Sequence, residues 1–244
     1  MAKIKKRIVI GAVLITVCMI AAGIVYYRSQ HVFLDYIYAR DVKELDRIDA
    51  SAAKVSELNR CTELEYLSIE HADDAFFSQM CDFQKLDYLY VIESEIGEKS
   101  MERFNTEPAL QSMIFSLSTV SLRGFHPPKL MHLLLLNSDI SDMEALSECP
   151  ALRYLDISRT SCGEQLKSSV NAQTHAEIWH LRDSSIFADL DTVRDLTLLR
   201  TEILDITGLL DMDALEQLHV DAGCISEAYK DALKEKGVLV TESE

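Results

Sequence analysis

Chain breakers are scarce in this sequence: 8 glycines and 4 prolines in 244 residues, with tryptophan occurring once. Together with 48% apolar and 26% charged side chains, that scarcity excludes a collagen-like, low-complexity or disordered chain. The glycines never cluster, and no GxGxxG, P-loop, GxSxG or HExxH spacing occurs, which removes the usual linear signatures of nucleotide binding and hydrolysis. No DxDxDG calcium loop is present either. Beyond Cys18 the cysteines are Cys61, Cys81, Cys149, Cys162 and Cys224, an odd number without CxxC spacing, so neither a disulfide framework nor a metal site is expected. The expectation is a non-enzymatic chain with no cofactor and no metal.

Basic residues are also few, and five of the 24 (Lys3, Lys5, Lys6, Arg7 and Arg28) lie in the first 28 positions, where no acid occurs. The remainder has 19 basic against 40 acidic side chains, a formal charge of −21. Phosphate backbones are bound through lysine and arginine, so nucleic acid is not an expected partner.

The longest uncharged run is Ile8 to Tyr27, IVIGAVLITVCMIAAGIVYY. As a helix its twenty residues match a hydrocarbon layer roughly 30 Å thick. The basic cluster in front and Tyr26 and Tyr27 behind predict a single-pass signal anchor with a cytoplasmic N-terminus and everything after it extracytoplasmic. A signal peptide cut near Ala21-Ala22-Gly23 is the competing reading; a lipoprotein site at Cys18 fits less well, because Val17 before it is not small.

After the anchor a repeat runs through the chain: apolar at positions 1, 4 and 6, small or polar at 9, apolar at 11. Leu130, Leu133, Leu135, Ser138 and Ile140 fit it, as do Leu152, Leu155, Ile157, Thr160 and Cys162. Other copies start at Leu86, Leu110, Val193 and Leu215, with weaker ones at Leu45, Leu64 and Ala176, nine units in all. Pro108, Pro128 and Pro150 each stand two residues before a position-1 leucine, where proline ends a returning segment. The starts are separated by 19, 22, 24, 20, 22, 24, 17 and 22 residues, and the 17 after Ala176 is too short for a comfortable turn. Apolar residues at positions 4 and 6 make a short strand with one buried face, and stacked units bury it by pairing equivalent strands in a parallel sheet.

Asn137–Ser158, NSDISDMEALSECPALRYLDIS, and Ile203–Val220, ILDITGLLDMDALEQLHV, resemble the 22-residue units of leucine-rich-repeat proteins, most closely the bacterial internalin type. The resemblance implies an α/β leucine-rich-repeat solenoid, a parallel sheet on one face and helical or irregular returns on the other, here preceded by one transmembrane helix. Where that family's pattern has asparagine, this chain has Ser94, Ser118, Ser138, Thr160, Ser184 or Thr201. A hydroxyl bonding one backbone group where an amide bridges two predicts a looser ladder between turns.

The expected organisation is a basic tail over 1–7, the anchor over 8–28, a cap or linker over 29–44, repeats over 45–225 and a C-terminal cap over 226–244. Val32, Phe33, Tyr36 and Ile37 have helical spacing, suggesting a helical first cap. Ser226 to Lys236 reads as an amphipathic helix stopped by Gly237, with Val238-Leu239-Val240 as a last strand or lid. Cys61, Cys149 and Cys162 fall on buried repeat positions.

Positions 3, 5 and 7 face out from the sheet. They bring Tyr66, Tyr88, Tyr90, Ile92, Ile114, His132, Leu134, Leu136 and Tyr154 side by side, a tyrosine-rich apolar patch on an acidic molecule. Such a patch suits recognition of a protein or peptide, unless a loop or cap covers it or chains pair through it in a membrane assembly. His132, His180 and His219 are expected on the same face, two units apart and too far from one another to share a zinc ion. No Ser/His/Asp constellation is visible in the linear sequence.

Overall fold

The computed structural model describes residues 17–170 and 177–243. Helix α1 is described over 17–30 and leads into an antiparallel hairpin of β1 (His31–Phe33) and β2 (Ile37–Ala39). Among the described residues no helix is long and apolar enough to cross a membrane; residues 8–16 of the expected span lie outside them. The first cap is therefore a hairpin rather than a helix. Asp35 turns it, accepting from the Tyr36 amide (2.9 Å) and the Tyr38 hydroxyl (3.1 Å). Strand alternation buries Val32 completely while Tyr36 and Ile37 stay exposed.

The body is a parallel sheet of nine strands: β3 (Glu44–Asp49), β4 (Tyr66–Glu70), β5 (Tyr88–Ile92), β7 (Ser112–Ser116), β9 (His132–Leu136), β11 (Tyr154–Asp156), β14 (Asp195–Leu198), β16 (Gln217–Asp221) and β17 (Leu239–Ser243). Leu67, Leu89, Met113, Leu133, Leu155, Leu196 and Leu218 pair along one row, and every one is fully buried. No unit could bury this row alone; each leucine is covered by its equivalents above and below. A second parallel sheet of β6 (Glu95–Ile96), β8 (Thr119–Ser121) and β10 (Asp139–Ser141) follows the turn of three consecutive units. Short helices close the convex side: α2 (Val55–Leu58), α3 (Asp74–Phe77), α4 (Glu98–Phe104), α5 (Thr207–Asp211) and 3-10 turns at Met143–Glu148 and Ser184–Phe187. Phe77 and Phe104 meet edge to face at 4.9 Å under them.

Two repeat assignments change. Leu45 pairs with Leu67 rather than Leu64, and a bulge at Arg47 (φ 53°) restores the pairing of Ile48 with Ile69, so the first unit begins at Val42. Arg47, Asp49 and Ser51 consequently leave the positions 3, 5 and 7 assigned to them. The Ala176 unit is not a rung at all: β11 pairs directly with β14, while β12 (Leu166–Val170) and β13 (Glu177–Leu181) form an antiparallel hairpin beside β15 (Thr201–Ile203). The awkward 17-residue spacing is thus the back half of one 41-residue unit carrying an inserted hairpin. His180 lies on that hairpin and not on the face with His132 and His219.

The ninth rung is β17, paired with β16 and held by α6 (Glu227–Glu235). Ser226 caps α6 by accepting from the Tyr229 amide, and Gly237 at φ 93° stops it, as the sequence signals indicate. Cys61, Cys149 and Cys162 are buried, and burial pushes the Cys149 and Cys162 thiols up to about 12.

At Ser94, Ser118 and Ser138 the position-9 hydroxyls form a two-sided ladder where a one-sided one was expected. Each serine donates to the carbonyl two residues behind it and accepts an amide from the previous unit: Ser94 to Ile92 (2.7 Å) and from Ala72 (2.9 Å), Ser118 to Ser116 (2.8 Å) and from Ser94 (3.1 Å). Ser138 continues it, bonding Leu136 (2.8 Å) and receiving Ser118 (3.1 Å). A hydroxyl is donor and acceptor at once, so it too bridges two backbone groups.

Candidate binding face

Outward residues of the nine-stranded sheet fall into three rows. Tyr66, Tyr88, Ser112, His132, Tyr154, Asp195 and Gln217 pair across the first, and Ser68, Tyr90, Ile114, Leu134, Asp156, Thr197 and His219 across the second. Glu70, Ile92, Ser116 and Leu136 begin the third. All nine residues singled out from the sequence therefore share one face, over five adjacent strands from β4 to β11. His132 is exposed and the other eight are half-buried by their neighbours in the sheet.

The face is laterally packed. The Tyr66 and Tyr88 rings stack at 5.1 Å, and His132 and Tyr154 lie 6.2 Å apart at a tilt. Burial pushes the Tyr66 and Tyr88 phenols up, so both rings stay neutral at physiological pH. The Tyr154 hydroxyl sits 3.1 Å from that of Thr197, and Ser112 Oγ lies 3.3 Å from His132 Nδ1. These cross-strand contacts hold the rings in place before anything docks on them.

Asp156, at position 5 of the unit that starts at Leu152, also lies on this face. Asp156 is only 8% exposed although it points out of the sheet, because Leu134, Thr197 and its own strand neighbours crowd it. Its Oδ1 accepts from the Ser158 amide (2.9 Å) and hydroxyl (2.5 Å). Burial raises its pKa, with the Ser158 bonds and the nearby His219 opposing that shift. An acid at position 5 between apolar strands is visible in sequence; its burial without a cation is not.

A backbone pattern marks one rim. Position 8 of successive units, at His71, Glu93, Leu117, Asn137, Arg159 and Arg200, is left-handed, with φ between 47° and 59°. There the chain leaves the sheet, and the inserted hairpin encloses a hollow of about 810 Å³ against Leu117, Asn137, Arg159, Arg200 and Trp179.

The hairpin also aligns Ser169, His180 and Glu202. Ser169 Oγ is 2.8 Å from His180 Nε2, and His180 Nδ1 is 3.0 Å from Glu202, but at an angle that makes no hydrogen bond. A triad base is oriented by a hydrogen bond on that nitrogen, and His180 lacks it here.

No protein-family model and no curated protein matches the chain. Among solved structures, an internalin of Listeria monocytogenes aligns with 84% of this chain and 69% of its own at 15% identity, TM-score 0.47. Internalin C2 of the same organism aligns with 79% and 85% at 15% identity, TM-score 0.43. TLR13, solved in a complex with ssRNA13, aligns with 84% of this chain at 14% identity and TM-score 0.50; this chain spans 33% of it. What is shared at such identity is the fold, a leucine-rich-repeat solenoid.

Proposed function

We propose that this chain is a membrane-anchored, non-enzymatic recognition module that binds a protein or peptide through the face built on Tyr66, Tyr88, Tyr90, Ile92, Ile114, His132, Leu134, Leu136 and Tyr154. The observation that carries the reading is the continuity of that face: aromatic and aliphatic side chains on adjacent strands, fixed by stacking and cross-strand contacts. Rigid, pre-organised aromatic surface of this kind supplies binding energy at low entropic cost. Replacing Tyr90 and Leu134 together by aspartate should abolish partner capture without lowering the unfolding temperature materially, since both side chains lie outside the core. Undiminished capture would refute the site. Light scattering distinguishes a separate partner from self-pairing: self-association that the same pair of substitutions abolishes would make this an assembly surface.

The anchor reading rests on α1, whose Val17, Ile20, Ile24, Val25 and Tyr26 are each more than half exposed and continue an uncharged run that begins at Ile8. Apolar side chains around a helix need lipid or protein to cover them. The expected topology places the repeats outside the cytoplasm, and protease added to intact cells should then remove them while sparing the N-terminal tail. Nucleic acid fits this face poorly: its outward positions from β4 to β16 carry no lysine or arginine. Titration with single-stranded RNA at physiological salt should give no saturable binding.

A further inference from the structure

The recognition face is not uniformly apolar, and its polar part has one sign. From β4 to β16 its outward positions include Glu70, Asp156, Asp195 and Asp221 and no lysine or arginine, the basic side chains there being His132 and His219. Glu70 is taken by Arg47 at 2.5 Å. Asp156 has no lysine or arginine partner among the described residues: it is nine-tenths buried, directly beside Leu134 and Tyr154, bonded through Oδ1 to Ser158, and its one basic neighbour is His219. The arginines that precede the first outward row on β11 and β14 are occupied, Arg153 by the backbone carbonyls of Leu152 (2.9 Å) and Thr192 (3.2 Å) and Arg194 by Glu216 (3.0 Å).

A buried carboxylate without a cation is costly unless a cation arrives. We propose, building on the recognition reading above, that the occupant of this face is a basic amphipathic polypeptide segment, which lays apolar side chains on Tyr88, Tyr90, Ile114 and Leu134 and places a lysine or arginine on Asp156. The apolar strip supplies burial, and Asp156 selects the charge and fixes the register, because a segment shifted along the sheet loses its cation from the one buried carboxylate. The chain's net charge of −16 draws such a segment in, and no lysine or arginine on the face repels it.

The test uses the full chain and three labelled peptides of alternating leucine with lysine, glutamine or glutamate. The lysine peptide should bind at least tenfold more tightly than the glutamine peptide, and the glutamate peptide not measurably. Asp156→Asn keeps the Ser158 contacts and should abolish that tenfold preference, whereas Glu102→Gln on α4 should leave it intact. If Asp156→Asn proves unstable, carboxyl NMR of the wild-type chain reads the same contact: the Asp156 pKa should fall when the lysine peptide binds. Lysine and glutamine peptides binding alike, or Asp156→Asn and Glu102→Gln acting alike, would overturn the proposal. If the Tyr90 and Leu134 aspartate substitutions still abolish binding in that case, the recognition face stands and only its charge selectivity falls; if they do not, both readings fall.

Discussion

Leu117 is 56% exposed and held at φ 54°, a conformation that costs a β-carbon-bearing residue about 1–2 kcal/mol relative to ordinary helical backbone. Asparagine tolerates it better, so Leu117→Asn should raise stability by about 0.5–1 kcal/mol, read as a higher urea midpoint at unchanged slope. Asn137 already occupies the equivalent place one unit on. The ladder predicts the opposite sign at the very next residue, in the core of the turn: Ser118→Ala would leave the Ser94 amide without its acceptor in a buried setting, at a cost of about 1–3 kcal/mol. Neither feature could be inferred from residue identity alone. Serine at position 9 is legible, but that it both donates and accepts depends on the spacing of adjacent turns. The left-handed position is written in His, Glu, Leu, Asn and Arg, which share no common propensity.

At the scale of elements, α5 approaches the 3-10 turn at Ser184–Phe187 so closely that a β-carbon on Gly208 would stand 1.9 Å from the Ser184 carbonyl oxygen. Gly208→Ala should therefore destabilise by more than the usual surface change, about 2–4 kcal/mol, and expose the C-terminal units to proteolysis. Asp205 joins the same two elements. Burial pushes its carboxyl up, but bonds from the Ser184 amide (2.8 Å) and hydroxyl (2.6 Å) and from Thr207 outweigh it and bring the pKa down to about 2. Its folded value lies below the unfolded 3.8, so its stabilisation is complete above that pH and is lost as the pH falls through 2. With screening by solvent, Asp205→Asn should cost about 1–2 kcal/mol at pH 7, and the gap to wild type should close between pH 4 and pH 2 in urea titrations. The strands were readable because position 4 and 6 residues alternate with period two. The inserted hairpin was not, because Trp179 and Leu181 keep that alternation while pairing in a different sheet, and the hairpin cap was hidden because Val32, Phe33, Tyr36 and Ile37 fit a helical period by coincidence.

For the whole molecule, stacking eight repeats and a terminal strand extends the sheet about 40 Å and converts scattered outward residues into rows. The nine face residues were legible for that reason: once the repeat register is right from β4 to β11, pairing follows without side-chain detail. Asp156 as a buried carboxylate was not, since its burial comes from neighbours on other strands. On this reading the face, and no other surface, receives a polypeptide partner. Site-specific photo-crosslinking in intact cells tests it directly, with a benzoylphenylalanine placed at Tyr90 or at Leu134 and, as the opposite-face control, at Glu102. One discrete adduct is expected from both face positions and none from position 102, whereas adducts from 102 alone, or the same adducts from all three, would contradict a single recognition face.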